Sequence, residues 1–208
     1  NVLSKNLYTA CNDFRELYED EDAKYIRELV SAKVETVNLE FKATFRTHIK
    51  EEKKEKDDKR PLWFSPLKTL CGFANSKGGK LLIGYYEGDA VRPPKFYGID
   101  MDGPRKKGKL DIDKWQEDFM QRVDNHIQKK IRDLMKIEYK SYDGLTIAII
   151  TVKQYRKDKT DWIFMKNCNK QGDFDNAKET IFYRQDSDTE KLSLKRITEI
   201  QKQVAEES

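Results

Sequence analysis

The sequence has few of the residues that build disulfide frameworks or histidine metal sites. Its three cysteines, Cys11, Cys71 and Cys168, lie far apart and form no Cys-x-x-Cys pair, which argues against both a disulfide framework and a thiolate zinc site. Its two histidines, His48 and His126, are too few for a histidine-rich metal site and are expected to be ordinary surface residues. We therefore expect a reducing, intracellular compartment: the cytoplasm, with the nucleus as an alternative.

Long hydrophobic runs are absent as well. No apolar run approaches the ~20 residues that a bilayer-spanning helix needs, and the N-terminus lacks the basic-then-apolar pattern of a signal peptide. These absences predict a soluble protein without a membrane partner. The first residue is Asn1 rather than Met, as expected of a processed chain or a fragment of a longer protein.

Charge of one sign is also missing, since 41 basic residues nearly balance 37 acidic ones and leave a net charge of +4. This balance permits a polyanionic partner without requiring one. Apolar residues make up only 37% of the chain, but they cluster in periodic segments that can form a core. With 208 residues and no stretch that resembles a linker, residues 1–208 are predicted to form one domain.

The periodicity of the apolar residues predicts an α+β fold, a mixed β-sheet flanked by helices. Ser65-Pro66 is a helix-start signal, and Asp143-Gly144 is typical of a hairpin turn. Gly78 and Gly79 are expected to form a helix-to-strand turn that needs positive φ. Helices are predicted over 12–30, 65–75, 115–134 and from 193 onward, and strands over 37–45, 80–86, 137–142, 145–152, 162–165 and 180–184.

Three glutamates stand at the predicted strands 37–45 and 80–86. Strict alternation over 37–45 predicts a half-buried strand that places Glu40 beside Lys42 on its polar face, with Glu35 at the strand entrance. Glu87 follows the second strand, and Asp89 is a fallback two residues later. Because sequential strands are usually neighbours, the three carboxylates are expected to converge.

Carboxylate oxygens suit Mg²⁺ or Mn²⁺, which complete their shell with water and substrate phosphate. Lys42 could then stabilise developing negative charge on a phosphoryl group. The bare pattern has an ordinary alternative, a solvent-facing Glu-Lys pair on a strand surface.

Two blocks of sequence, residues 35–42 and 71–84, resemble the Schlafen family and its related AlbA-like domains. In that family the first block is Glu-Ser-x-x-x-Glu-Phe-Lys, and the second is Ala-Phe-Ala-Asn-Thr-x-Gly-Gly followed by an apolar strand. Residues 181–187 loosely resemble the family's late strand, so that the resemblance extends over about residues 25–187.

The resemblance implies a single Schlafen-core lobe whose acids bind a divalent metal and cut structured RNA such as transfer RNA. Carried over, the metal and catalytic acids are Glu35, Glu40 and Glu87, the last standing where the family usually has aspartate. Because known cores pair two lobes, a homodimer or a pairing with a related chain is expected. A non-catalytic nucleic-acid-binding regulatory module and a DNA-acting defence nuclease are the alternatives.

Basic residues supply the expected phosphate contacts, although each could equally be plain surface charge. The charged segment 50–60 is expected to be a solvated loop, with phosphate contact as an alternative. Trp63, Tyr85 and Tyr86 could stack on bases or pack in the core. The predicted nucleic-acid-binding residues are Lys42, Lys77, Lys80, Arg105, Lys106, Lys107, Lys109 and Arg184.

Overall fold

The fold is α+β, with a mixed sheet flanked by helices as predicted. The computed structural model describes residues 20–31, 35–47, 49, 60–106, 108–155, 158–169, 171 and 173–206, and only the backbone of residues 106 and 175–178. Cys11, His48, Lys107 and most of the charged segment 50–60 therefore lie outside the described residues. Within the described ranges, the helices are α1 Glu21–Ser31, α2 Phe64–Asn75, α3 Ile112–His126 and α4 Leu194–Glu206, with 3₁₀ turns at Ile99–Met101 and Lys129–Leu134. None of these helices has the length and apolar character that crossing a membrane requires.

Two larger sheets and two short ribbons make up the described strands. The first sheet has the order β1-β2-β8-β7, in which β1 and β2 run parallel and the other pairs are antiparallel. The second has the order β11-β10-β9, and β3-β4 and β5-β6 are ribbons. The strands are β1 Leu39–Lys42, β2 Gly79–Ile83, β3 Tyr85–Tyr86, β4 Lys95–Phe96, β5 Arg105–Lys106, β6 Lys109–Leu110, β7 Met135–Tyr142, β8 Leu145–Val152, β9 Phe164–Cys168, β10 Phe174–Gln185 and β11 Asp188–Lys191.

The first sheet is covered on both faces, because alternate residues of its central strands enter different clusters. Leu82 packs with Ile26 of α1 on one face, whereas Leu81 and Ile83 pack with α2 and α3 on the other. A strand buried on both sides is continuously apolar, as the part of β2 from Leu81 to Ile83 is. Because β1 and β2 run parallel, the crossover through α2 places the ends of both strands at the same edge of the sheet.

Helix α2 begins one residue before the predicted start. Trp63 occupies the N-cap position without a side-chain capping bond, so the prediction that Ser65 caps the helix is wrong. Pro66 still lies in the first turn, where its missing N–H costs no hydrogen bond. Most residues of α2 are buried, because the first sheet lies on one side of it and β10 on the other.

Asn75, the last residue of α2, joins the helix to the second sheet. Its buried side chain donates to the carbonyl oxygens of Ile163 at 2.8 Å and Phe182 at 2.9 Å, and accepts the N–H of Ile163 at 2.8 Å. A buried amide with its hydrogen bonds satisfied fixes relative position. The asparagine of the second sequence block is thus a structural connector between α2 and the strands that carry Arg184.

The two glycines of the helix-to-strand turn have different roles. Gly78 has a φ of 76°, as predicted for the turn. Gly79 has no such φ, but a Cβ there would lie 2.5 Å from the Phe73 ring and 2.9 Å from the Asn38 carbonyl oxygen. Positive φ was therefore the right expectation for Gly78, whereas close packing is the reason for Gly79.

The remaining elements follow the sequence pattern with shifts at their ends. The Asp143-Gly144 hairpin is confirmed, both residues having positive φ at the turn between β7 and β8. The predicted long helix 115–134 ends as α-helix at His126 and continues as a 3₁₀ turn after Ile127 takes an extended conformation. The predicted strand 80–86 is interrupted at Gly84, whose φ is 111°.

Candidate acidic site

The strand that carries Glu40 and Lys42 is shorter and more deeply placed than predicted. It ends at Lys42, because the buried carboxylate of Asp102 accepts the backbone N–H groups of Phe45, Arg46 and Thr47 and turns the chain away. The predicted solvent-facing side of this strand is wrong, since Glu40 is only 6% exposed. The face of the strand that carries Glu40 is turned toward Arg184 of β10 rather than into water.

Glu40 is held by two cations. Its Oε1 accepts a hydrogen bond from the Lys42 ammonium, and its Oε2 accepts one from Arg184 Nη1 at 2.5 Å. Burial by itself would raise the pKa of Glu40, but Lys42 and Arg184 outweigh that effect and hold the pKa below its usual value. Glu40 is therefore ionised in the folded protein.

Arg184 lies in the interior and not on a surface that could meet phosphate, which corrects its predicted role. Its side chain is 1% exposed, and it donates to the Thr36 carbonyl at 2.7 Å and the Leu39 carbonyl at 3.1 Å in addition to Glu40. These bonds fix the turn before β1 to strand β10. Arg184 thus holds the Glu40 carboxylate in place from the β10 side.

Glu35 lies on the other side of Lys42. Its Oε1 accepts the N–H of Phe41 at 3.0 Å and stands 3.6 Å from Lys42 Nζ. Burial raises the pKa of Glu35 to about 7, and the negative charges of Glu40 and Glu87 add to the rise against the opposing effect of Lys42. Lys42 itself, 24% exposed, loses some basicity to burial, but Glu40 and Glu35 more than compensate and its pKa is raised.

Glu87 belongs to the same electrostatic group. Burial raises its pKa, the charge of Glu40 raises it further, and both Lys42 and a hydrogen bond from the backbone of Glu35 oppose the rise. Glu87 is therefore subject to the charges of the same Glu40 and Lys42 side chains that act on Glu35. Asp89, the fallback, is instead engaged by Arg92, the Tyr86 hydroxyl and two backbone N–H groups.

Whether these acids suit a divalent metal can be judged from their charges and partners. Lys42 acts on all three carboxylates and Arg184 on Glu40, while burial first, and then the neighbouring negative charges, raise the pKa values of Glu35 and Glu87. Hard oxygen donors of this kind suit Mg²⁺ or Mn²⁺. In the described part of the chain, however, no three acidic, histidine or cysteine side chains already stand at metal-binding positions. The donor set fits the metal in its chemistry, but a metal that used Glu40 Oε1 would compete with Lys42.

The other predicted basic residues are spread over different surfaces. Lys80 points to the α1 side of the sheet, where its ammonium donates to the Tyr25 hydroxyl at 2.8 Å, and Lys77 is exposed at the nearby glycine turn. Arg105 and Lys109 are exposed on the β5-β6 ribbon, while nothing is described of the Lys106 side chain. Of the predicted basic residues, Lys42 and Arg184 contact the acids among the described contacts, and Lys42 is the one that is partly exposed.

Lys68 is a basic residue near the site that the sequence patterns did not single out. It lies on α2, and its half-buried ammonium is subject to the charges of Glu40, Lys42 and Arg60. Burial lowers its pKa first, and the cations Lys42 and Arg60 contribute to the decrease. A lysine in the middle of an apolar helix was the available signal, but periodicity alone could not show which sheet edge it faces.

Glu35→Gln is expected to stabilise the metal-free protein above pH 7 and to leave it unchanged near pH 4.5. The folded protein keeps a proton on Glu35 that the unfolded chain releases between pH 4.5 and about 7, so stability is lost as pH rises through that window. The loss amounts to at most about 3 kcal/mol. Urea unfolding in EDTA at both pH values measures it, with the exposed Glu117→Gln as control. An unchanged pH profile in Glu35→Gln would contradict the raised pKa of Glu35 and the burial that causes it.

Comparison with known proteins places the chain in a family. A family model described as Schlafen, AlbA_2 matches residues 35–193, and no match to a curated protein was found. Among solved structures, the chain is similar to the N-terminal domain of a RecG-related protein from Nitrosomonas europaea, with 18% identity over 65% of this chain and 74% of that chain and a TM-score of 0.41. It is also similar to the DIP2311 protein from Corynebacterium diphtheriae, with 16% identity over 79% of this chain and 24% of that chain and a TM-score of 0.44. Because the family match extends over most of the sequence, the chain belongs to the Schlafen AlbA_2 family.

Proposed function

We propose that this protein is a nucleic-acid-binding, divalent-metal-dependent endoribonuclease that cleaves structured RNA such as transfer RNA. The observation that carries the proposal is that the Lys42 ammonium contacts Glu40, lies 3.6 Å from Glu35 and acts on the charge of Glu87. Two of these acids have raised pKa values, as is common at functional sites where like charges are held together. Membership of the family supports the nucleic-acid partner.

Each residue has a distinct role in the proposed reaction. Glu35, Glu40 and Glu87 would hold Mg²⁺ or Mn²⁺, which when bound supplies Lewis acidity toward a phosphoryl oxygen and an activated water. Lys42, partly exposed at the mouth of the site, would stabilise the negative charge that develops on the phosphate during hydrolysis. Arg184 keeps Glu40 ionised and in place.

A non-catalytic nucleic-acid-binding module is the second candidate, and one observation favours it. Both oxygens of Glu40 are already hydrogen-bonded to cations, so that metal binding must displace a partner. If that displacement does not occur, the protein would bind nucleic acid without cutting it. A DNA-acting nuclease would share the metal chemistry and differ in its substrate.

The decisive experiment incubates the protein with labelled transfer RNA and with duplex DNA in Mn²⁺, Mg²⁺ or EDTA, beside Glu87→Gln. Glu87 is preferable to Glu40 for this purpose, because removing Glu40 would leave the buried Arg184 unpaired. We expect cleavage of RNA that requires the metal and falls roughly tenfold or more in Glu87→Gln, as for other changes around metal ligands.

Equal RNA binding by both proteins without cleavage by either would instead establish the binding module. Cleavage that persists in EDTA would contradict the metal site.

Light scattering of the same samples would report whether the protein forms the expected homodimer.

A further inference from the structure

Three partly exposed aromatic rings form a cluster away from the acids. The Trp63 and Phe174 rings are nearly parallel, with centroids 5.3 Å apart and an interplanar angle of 10°. The His126 ring lies 4.5 Å from Trp63 and 4.6 Å from Phe174, which closes a triangle of mutual contacts. His126 is thus part of an aromatic group rather than the ordinary surface residue expected from the sequence.

Cations surround this cluster. The guanidinium of Arg122 lies over the Trp63 ring, 5.3 Å from its centroid, and that of Arg60 lies over Phe64 at 5.6 Å. The charges of Lys166 and Arg122 also act on His126, whose pKa burial and these cations lower to about 4. The imidazole is therefore uncharged at neutral pH, while the residues around it are positive.

Helix α2 connects the cluster to the acidic site. Trp63 and Phe64 stand at the start of the helix, and Lys68 follows Phe64 by four residues, which places both on one face. Lys68 is subject to the charges of Arg60 on one side and of Lys42 and Glu40 on the other. The distance along the helix from Trp63 to Lys68 is about 7 Å at 1.5 Å per residue. Lys68 therefore lies between the acids and the start of the helix, where the cluster stands.

Core packing does not account fully for the cluster. Trp115 and Trp162 are almost completely buried, at 1% and 5% exposure, whereas all three rings of the cluster remain partly exposed. The buried Nδ1 of His126 has no hydrogen-bond partner among the described residues. Tyr85, which the sequence offered as another stacking residue, is buried against Phe41 and Phe96 and belongs to the core.

We propose that Trp63, His126 and Phe174 form a stacking platform for an unpaired base of the RNA, with Arg122 and Arg60 contacting the adjoining phosphates. Aromatic rings accept the faces of unstacked bases, and guanidinium groups can both stack on bases and bind phosphate. An uncharged three-ring surface bordered by cations is complementary to a base joined to a negative backbone. The assignment of the ligand as RNA rests on the proposed function, and the platform supplies a contact that the acids do not.

The test measures binding of a fluorescein-labelled, unstructured RNA oligonucleotide in EDTA, where no metal-dependent cleavage occurs. Trp63→Leu and Arg122→Glu are each expected to weaken binding about tenfold, within the range for the loss of one stacking contact. Lys195→Glu makes the same charge change at a position 89% exposed on α4 and should alter binding little. Because the Arg122 side chain is exposed, Arg122→Glu remains informative even if Trp63→Leu does not fold.

Intrinsic fluorescence gives an independent reading. Of the three tryptophans, Trp63 alone is partly exposed, so RNA should quench wild-type emission and leave the emission of Trp63→Leu almost unchanged. Wild-type affinity in both Trp63→Leu and Arg122→Glu would overturn the platform. Cleavage is tested with Glu87→Gln in metal and the platform with Trp63→Leu and Arg122→Glu in EDTA, so failure of the cleavage proposal and failure of the platform are separate results.

Discussion

Arg184→Met should lower the free energy of unfolding by roughly 3–5 kcal/mol, the usual effect of breaking a buried ion pair by removing one partner. The guanidinium is 1% exposed and satisfies Glu40 and the carbonyls of Thr36 and Leu39. Without it, a carboxylate and two carbonyl oxygens remain buried with fewer donors. Urea denaturation followed by circular dichroism measures the change.

Arg105→Met is the matched control, because Arg105 is exposed on the β5-β6 ribbon. It should cost little stability. The double variant Arg184→Met with Glu40→Met should recover much of the loss, because it replaces both charges by apolar groups. A loss in Arg184→Met no larger than that of the control would contradict the buried position of the pair.

Lys42→Met should change metal affinity and cleavage rate in opposite directions. The Lys42 ammonium is bonded to Glu40 Oε1 and lies 3.6 Å from Glu35 Oε1, so it occupies space and charge that a metal would use. Its removal is expected to tighten Mn²⁺ binding roughly tenfold or more, because a like charge leaves the site. Cleavage should nevertheless fall about 10²- to 10³-fold, as when a donor to a developing oxyanion is removed.

Calorimetric Mn²⁺ titration at pH 9 measures the affinity, because Lys42 lowers the pKa of Glu35 and its removal raises that pKa above the wild-type value of about 7. Lys195→Met, exposed on α4, serves as control and should leave both affinity and rate unchanged. Weaker Mn²⁺ binding in Lys42→Met would show that the lysine supports the metal site instead of competing with it. Unchanged cleavage would remove Lys42 from the proposed reaction.

The sequence predicted the elements well where periodicity and turn chemistry agree. The Asp143-Gly144 hairpin, the buried strand β2 and the last helix lie where the pattern placed them. The mixed sheet followed from the short crossover between β1 and β2, whose parallel pairing also brings the acids together. Turns and periodic segments depend on residues that are close together in the chain, so the sequence alone is enough to predict them.

Long-range contacts explain the errors. The alternation over 37–45 does not show that Asp102, far along the chain, ends β1 at Lys42. It also does not show that β10 covers the face that carries Glu40, so a strand predicted to be half-buried is buried on both sides. Arg184 was predicted as a phosphate contact for the same reason, since an arginine on a strand gives no local indication of its burial.

The proposed metal site itself can be tested most directly by anomalous diffraction from crystals soaked in Mn²⁺ at pH 8. We predict one strong manganese peak bounded by the carboxylates of Glu35, Glu40 and Glu87, with the Lys42 ammonium displaced from Glu40. The absence of a peak there at saturating Mn²⁺, with Lys42 still bonded to Glu40, would contradict the metal-dependent nuclease and leave the nucleic-acid-binding module as the function of this fold.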